Sequence, residues 1–179
     1  MASNEVQLGT GYASGMFYTA PAGTALPTYP GEELAAAWTE VGDIDVDGIT
    51  FTPRDSETIK NWAGQPKRNL PSSDPATIQA KIMDTTEDSL KTVFGASNVI
   101  VTAATADHGK LVTVDMDGKP GPAAFIFIMK DVDDMKIMGT SNGLISELGD
   151  AAFKTEEAIE WDVTIQGIWT LICDDGQTL

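Results

Sequence analysis

The chain has 179 residues, 42% of them hydrophobic, which suits one domain with a core of its own. Its 27 acidic residues against 11 basic ones leave a formal charge of −16, a balance that repels nucleic acid and argues against a DNA-reading role. The one cysteine, Cys173, excludes an internal disulfide and reads as a small buried hydrophobe in an apolar terminal run.

Residues 1–37 are rich in Gly, Ala, Thr and Pro and contain no Lys or Arg. They begin without the basic and apolar regions of a signal peptide, so assembly in a cytoplasm is expected. No apolar run approaches the roughly 20 residues that cross a membrane. Ser14–Thr19 reads as a strand, and the turn residues after it as a structured loop. Glu33–Trp38 is too short to be helical without tertiary support.

Trp38–Gly64 holds two alternating apolar runs, Ile44-x-Val46 and Ile49-x-Phe51, whose phase slips at Asp47-Gly48, a turn or bulge signal. Asp43, Asp45, Asp47 and Gly48 occupy positions 1, 3, 5 and 6 of a calcium loop, but position 12 is Arg54, a cation where a bidentate carboxylate is required. A solvated acidic strand face is the expected reading. A second polar-apolar run, Asp55–Trp62, leads to residues 60–74, which read as a projecting loop. With Lys60, Lys67 and Arg68, that loop locally reverses the sign of the chain.

Ala76–Met83 alternates cleanly, as a strand with one buried face does. A short helix should follow, with Thr85 as N-cap, Asp88 completing a capping box, Glu87 on the positive end of the dipole and Gly95 as the stop. Leu90, Val93 and Phe94 form its apolar stripe and should pack on the sheet. Val99–Thr102 and Lys110–Asp115 read as strands around a loop that holds His108, whose surroundings carry no catalytic motif. Asp115–Gly118 reads as a turn. Ala123–Lys130 is apolar on both faces, the mark of a central strand or one covered by a neighbouring subunit. Asp131–Met138 alternates acids, and Asn142-Gly143 reads as a turn. Ile159–Ile172 is the longest strand expected. Ile159, Trp161, Val163, Ile165, Trp169, Leu171 and Cys173 share one face, Glu160, Asp162, Thr164 and Gln166 the other, and a bend is expected at Gly167.

These elements sum to a mainly β chain, a sandwich or barrel of seven to nine strands with one short flanking helix, in a single domain spanning 1–179. No nucleotide loop, nucleophile elbow or metal-ligand spacing occurs, so no catalytic, metal or cofactor-binding residue is expected.

Three stretches in order carry a resemblance: YTAPAGTALPT (18–28), AAWTEVGDIDVDGITF (36–51), and the Ile59–Arg68 run leading to ATIQAKIMDTTEDSLKTVFG. Together they resemble the major tail protein of long non-contractile-tailed bacteriophages, particularly those of actinobacteria. That resemblance implies a β-sandwich closed into hexameric rings by sheet pairing, with the rings stacked into a tube around the exiting genome. It implies a virion protein whose partners are itself, the tape measure and the tail-end proteins, with DNA passing unbound and no membrane involved. The tube protein of the type VI secretion system shares the fold and is an alternative; a non-catalytic carbohydrate-binding β-sandwich is another.

Within that expectation, Ala123–Lys130 pairs edge to edge with a neighbour. Lys60, Trp62, Pro66, Lys67 and Arg68 meet an adjacent subunit. Asp43, Asp45, Asp55, Glu57, Asp131, Asp133, Glu160 and Asp162 are the candidates for an acidic lumen wall.

Overall fold

The structure is a computed structural model that describes residues 10–11, 17–71, 74–131, 134–151, 153 and 159–173. Its strands are β1 (Thr10–Gly11), β2 (Phe17–Pro21), β3 (Thr39–Gly42), β4 (Ile44–Thr52), β5 (Ser56–Lys60), β6 (Pro66–Pro71) and β7 (Ala76–Ile82). They continue with β8 (Val99–Thr102), β9 (Leu111–Val114), β10 (Ala123–Asp131), β11 (Asp134–Leu148), β12 (Trp161–Gly167) and β13 (Thr170–Cys173). The helix α1 covers Glu87–Phe94. The fold is thus mainly β with one short helix; it has more strands than the periodicity predicts, and the longest is β11, not the Ile159–Ile172 stretch.

The main sheet runs β3-β2-β10-β11-β12-β7-β4, with β1 beside β10 and β13 beside β11. Its two ends are one stretch of chain. Residues 39–42 lie on β2 while 44 onward lies on β7, so the path returns on itself as a barrel. The crossing is made at Gly42, with φ +139°, where an added Cβ would collide with the Asp84 carboxylate. That carboxylate accepts the Asp43 N–H at 2.6 Å, and the Met83 N–H donates to the Asp43 carbonyl at 3.0 Å. Glycine is required there by both the backbone and the space.

Alternation puts Ile78, Ala80 and Ile82 of β7 and Trp161, Val163 and Ile165 of β12 inside, with Phe17, Phe125 and Phe127. The Phe17 ring stacks on Phe127 with centroids 4.5 Å apart. α1 packs over this core: Leu90, Val93 and Phe94 are buried, and Phe94 meets Trp161 edge-on at 5.3 Å. Its N-cap is Thr86, one residue beyond the expected Thr85, and the box is closed by Ser89 in place of Asp88. Thr86 accepts the Ser89 N–H and Ser89 Oγ accepts the Thr86 N–H, while the Thr85 hydroxyl accepts from Trp161 Nε1 at 3.3 Å.

Several other expectations are corrected. Asn142-Gly143 is no turn; it lies within β11, which runs unbroken to Leu148. The glycine serves close packing, since a Cβ at Gly143 would stand 2.9 Å from the Phe125 ring. β10 has no free edge, because β1 and β2 occupy one side of it and β11 the other. On its outer face Ala124 and Ile126 are buried, Leu26 lies over Gly139 beside Ile126, and the Gly23 N–H donates to the Ser141 carbonyl of β11 at 2.7 Å.

Of the turn and the bulge that Asp47-Gly48 signals, the chain makes the bulge, inside β4, and it throws Val46 into solvent at 95% exposure. Residues 66–71, expected as loop, form β6. β12 and β13 lie along β11 as one interrupted strand, but beyond the break at 168–169 Leu171 and Cys173 are exposed, so Cys173 is not a core residue. Of Ser14–Thr19, residues 14–16 lie outside the described residues.

Candidate assembly surfaces

β5 and β6 pair only with each other, so the hairpin they form stands off the barrel. Its tip is a tied turn. The Asn61 N–H donates to the Gln65 carbonyl at 2.9 Å, the Gln65 N–H to Asn61 Oδ1 at 2.8 Å, and the Gly64 N–H to the Asn61 carbonyl at 2.9 Å. These bonds hold Trp62 out from the turn, fully exposed. Lys60, Pro66, Lys67 and Arg68 surround it, all exposed, and the three cations make no ion pair among the described residues. The hairpin therefore brings together all five residues picked out in this stretch. An isolated two-stranded hairpin is marginal in water, and an exposed indole among cations adds to the case for a partner surface.

The eight acids singled out above do not share one face. Asp43 sits at the crossing between β3 and β4, and Asp55 in the link to β5. Asp133 and the side chains of Glu57 and Asp131 lie outside the described residues. Asp45, Glu160 and Asp162 do come together, around Lys81 on the polar face of β7. Its ammonium lies 3.7 Å from Glu160 and 3.6 Å from Asp47. Glu160, then Asp47, raise its pKa above the ordinary lysine value, with Asp45 adding less.

Asp162 stands opposite Lys81 in register and accepts both of its contacts from Gln79 Nε2 at 3.2 Å. Asp45 Oδ1 accepts the Asp47 N–H at 3.2 Å. Among the described residues, no group of three or more His, Cys, Asp or Glu side chains is placed to hold a metal ion.

Lys81 belongs to a wider polar surface. Register and alternation put Thr50 and Thr52 of β4, Thr77, Gln79 and Lys81 of β7, and Asp162, Thr164 and Gln166 of β12 on the outside of the barrel. Lys81 is the sole cation among these eight, and flanking carboxylates offset it. Alternation identifies each strand's polar residues, but only pairing shows that they form one surface.

A third feature is the strand β4, which among the described residues is bonded on one side, to β7, and ends the sheet path. Val46 and Phe51 are exposed along it. At the start of α1, the Glu87 carboxylate receives hydrogen bonds from Lys110 and Lys91 that hold its pKa down at about 2.

A family model described as phage tail tube protein matches residues 1–168. No curated protein matches the chain. Among solved structures, the chain is similar to the anti-feeding prophage cap, described as a tube-terminating cap and determined by cryo-electron microscopy. That likeness covers 100% of both chains, with a TM-score of 0.40 and 10% identity.

Proposed function

The chain belongs to the phage tail tube protein family, and from that premise we propose that copies close edge to edge into six-membered rings, which stack into the conduit for the genome. It is a structural component of the virion tail. The observation that carries ring closure is the β4 edge, which pairs with no strand but β7 among the described residues. A nine-residue edge strand with Val46 and Phe51 exposed and no proline is a template for another chain. Cyclic closure removes such edges. The number six comes from the family resemblance.

The polar surface of β4, β7 and β12 is the proposed lumen wall. Duplex DNA carries about one negative charge per 1.7 Å of axis, and a cationic wall would hold it through counterion release. A surface of Thr, Gln and carboxylate with its lysine neutralised repels the duplex weakly and lets it slide, over a screening distance of about 8 Å at physiological salt. The β5–β6 hairpin, with its cations and Trp62, is the proposed contact to the next ring. Assembly takes place in the host cytoplasm, with the tape measure and tail-end proteins as partners. Electron microscopy of the purified protein tests the reading. Six-fold rings or tubes are expected; dispersed monomers at every concentration and salt would overturn it.

A further inference from the structure

We propose that Trp62 of one copy docks in a specific aromatic socket at the opposite end of the barrel of a second copy, with the hairpin cations meeting Asp150 and Asp162 at its rim. This rests on the stacking reading above and names the receiving site. The socket is a cavity of about 250 Å³ whose walls include Phe94, Phe153, Trp161, Met116 and Leu148. Phe153 stands edge-on to Trp161 at 6.1 Å, yet 64% of it is exposed. The cavity is thus an open aromatic site in a chain with few aromatic residues.

Three observations choose the occupant. The first is charge. The hairpin tip carries Lys60, Lys67 and Arg68 in a chain of 11 basic residues, and the socket rim carries two carboxylates. The second is chemistry. Trp62 is a fully exposed indole held out by a tied turn, so docking it costs little further ordering, and aromatic and arginine side chains are the usual anchors of interfaces.

The third is position. The hairpin leaves β4 after Thr52 and rejoins at β7, whose first residue, Ala76, pairs with Gly167. The socket lies at the other end of the same strands, where Ile82 pairs with Trp161. The seven residues of β7 separate the two ends by roughly 20 Å. Plug and socket at opposite ends form a head-to-tail contact that is not self-complementary, and such a contact propagates into a stack.

The test is complementation. Trp62→Ala removes the plug and Phe153→Ala the socket wall; both side chains are exposed, so both variants should melt as wild type. Each variant alone should lose stacking, with association weakened by roughly thirtyfold or more, the scale of an interface anchor. Mixed in equal amounts, each supplies the surface the other lacks, so paired units should appear by light scattering, and no longer stacks. In a Cys173→Ser background, Trp62→Cys with Phe153→Cys should give disulfide-linked ladders on oxidation. Stacking of Phe153→Ala at wild-type strength, while Trp62→Ala fails, would overturn the socket and leave the stacking reading intact. Stacking of Trp62→Ala as wild type would overturn the plug. A wild-type protein that never stacks would instead remove the stacking reading itself.

Discussion

At the scale of the residue, Glu87 joins α1 to the loop before β9 through Lys110, and to the next turn of the helix through Lys91. Its carboxyl titrates near 2 in the folded chain against an ordinary 4.5. The unfolded state therefore takes up the proton first. The stability this group contributes is fully present above pH 4.5 and is lost as pH falls toward 2. Glu87→Gln should melt lower than wild type at neutral pH, and the two melting temperatures should converge by about pH 2. A gap unchanged across that range would show that the carboxylate does not hold the helix.

Gly143 is decided by space. A Cβ there must displace the Phe125 ring or the Thr140 methyl, 2.8 Å away, so Gly143→Ala should cost about 1–3 kcal/mol in denaturant unfolding. Phe94→Ala removes a buried ring between helix and barrel and should cost about 3–5 kcal/mol; a loss below about 1 kcal/mol would deny the packing.

Among the elements, β4 and the β5–β6 hairpin are adjacent in sequence and separate in task. Val46 is held in solvent by the bulge, so Val46→Lys should change stability by no more than about 0.5 kcal/mol. It places a charge on the edge that natural sheets use to prevent pairing, and it should leave monomers where wild type gives rings. Replacing Ser56–Pro71 with a short Gly-Ser linker removes an element that pairs only with itself. The barrel should remain, and rings should form without stacking. Electron microscopy separates the two variants, because the first should stop at the subunit and the second at the ring.

For the whole molecule, the net charge of −16 says only that the surface is acidic. The barrel distributes that charge. One polar face carries a single lysine between carboxylates, and the cations of the hairpin stand on an element that pairs only with itself among the described residues. Thr77→Lys, Gln79→Lys and Thr164→Lys combined would make that face basic without touching the core. Tubes should still form, and genome ejection should slow, most strongly at low salt where screening is weakest. Normal ejection from such tubes, at low and high salt alike, would show that this face does not line the channel.

The strands, the helix and the basic stretch were legible because their signals are local. Period-two alternation marked β7 and β12, a 3.6-residue stripe marked Leu90, Val93 and Phe94, and Lys60, Lys67 and Arg68 were visible as a change of sign. The family resemblance likewise rests on contiguous motifs. What the sequence left open was long-range. Asn142-Gly143 carries turn chemistry, and only the Phe125 ring packed against that glycine shows why β11 continues through it. Ala123–Lys130 is apolar on both faces, and only the fold shows β1, β2 and β11 beside it and Leu26 over Ile126. Lys81 was one lysine on a strand until pairing set Asp47 and Glu160 beside it across 34 and 79 residues of chain. Contacts of that separation are decided by register and closure, and these arise when the whole sheet pairs, from no single stretch of sequence.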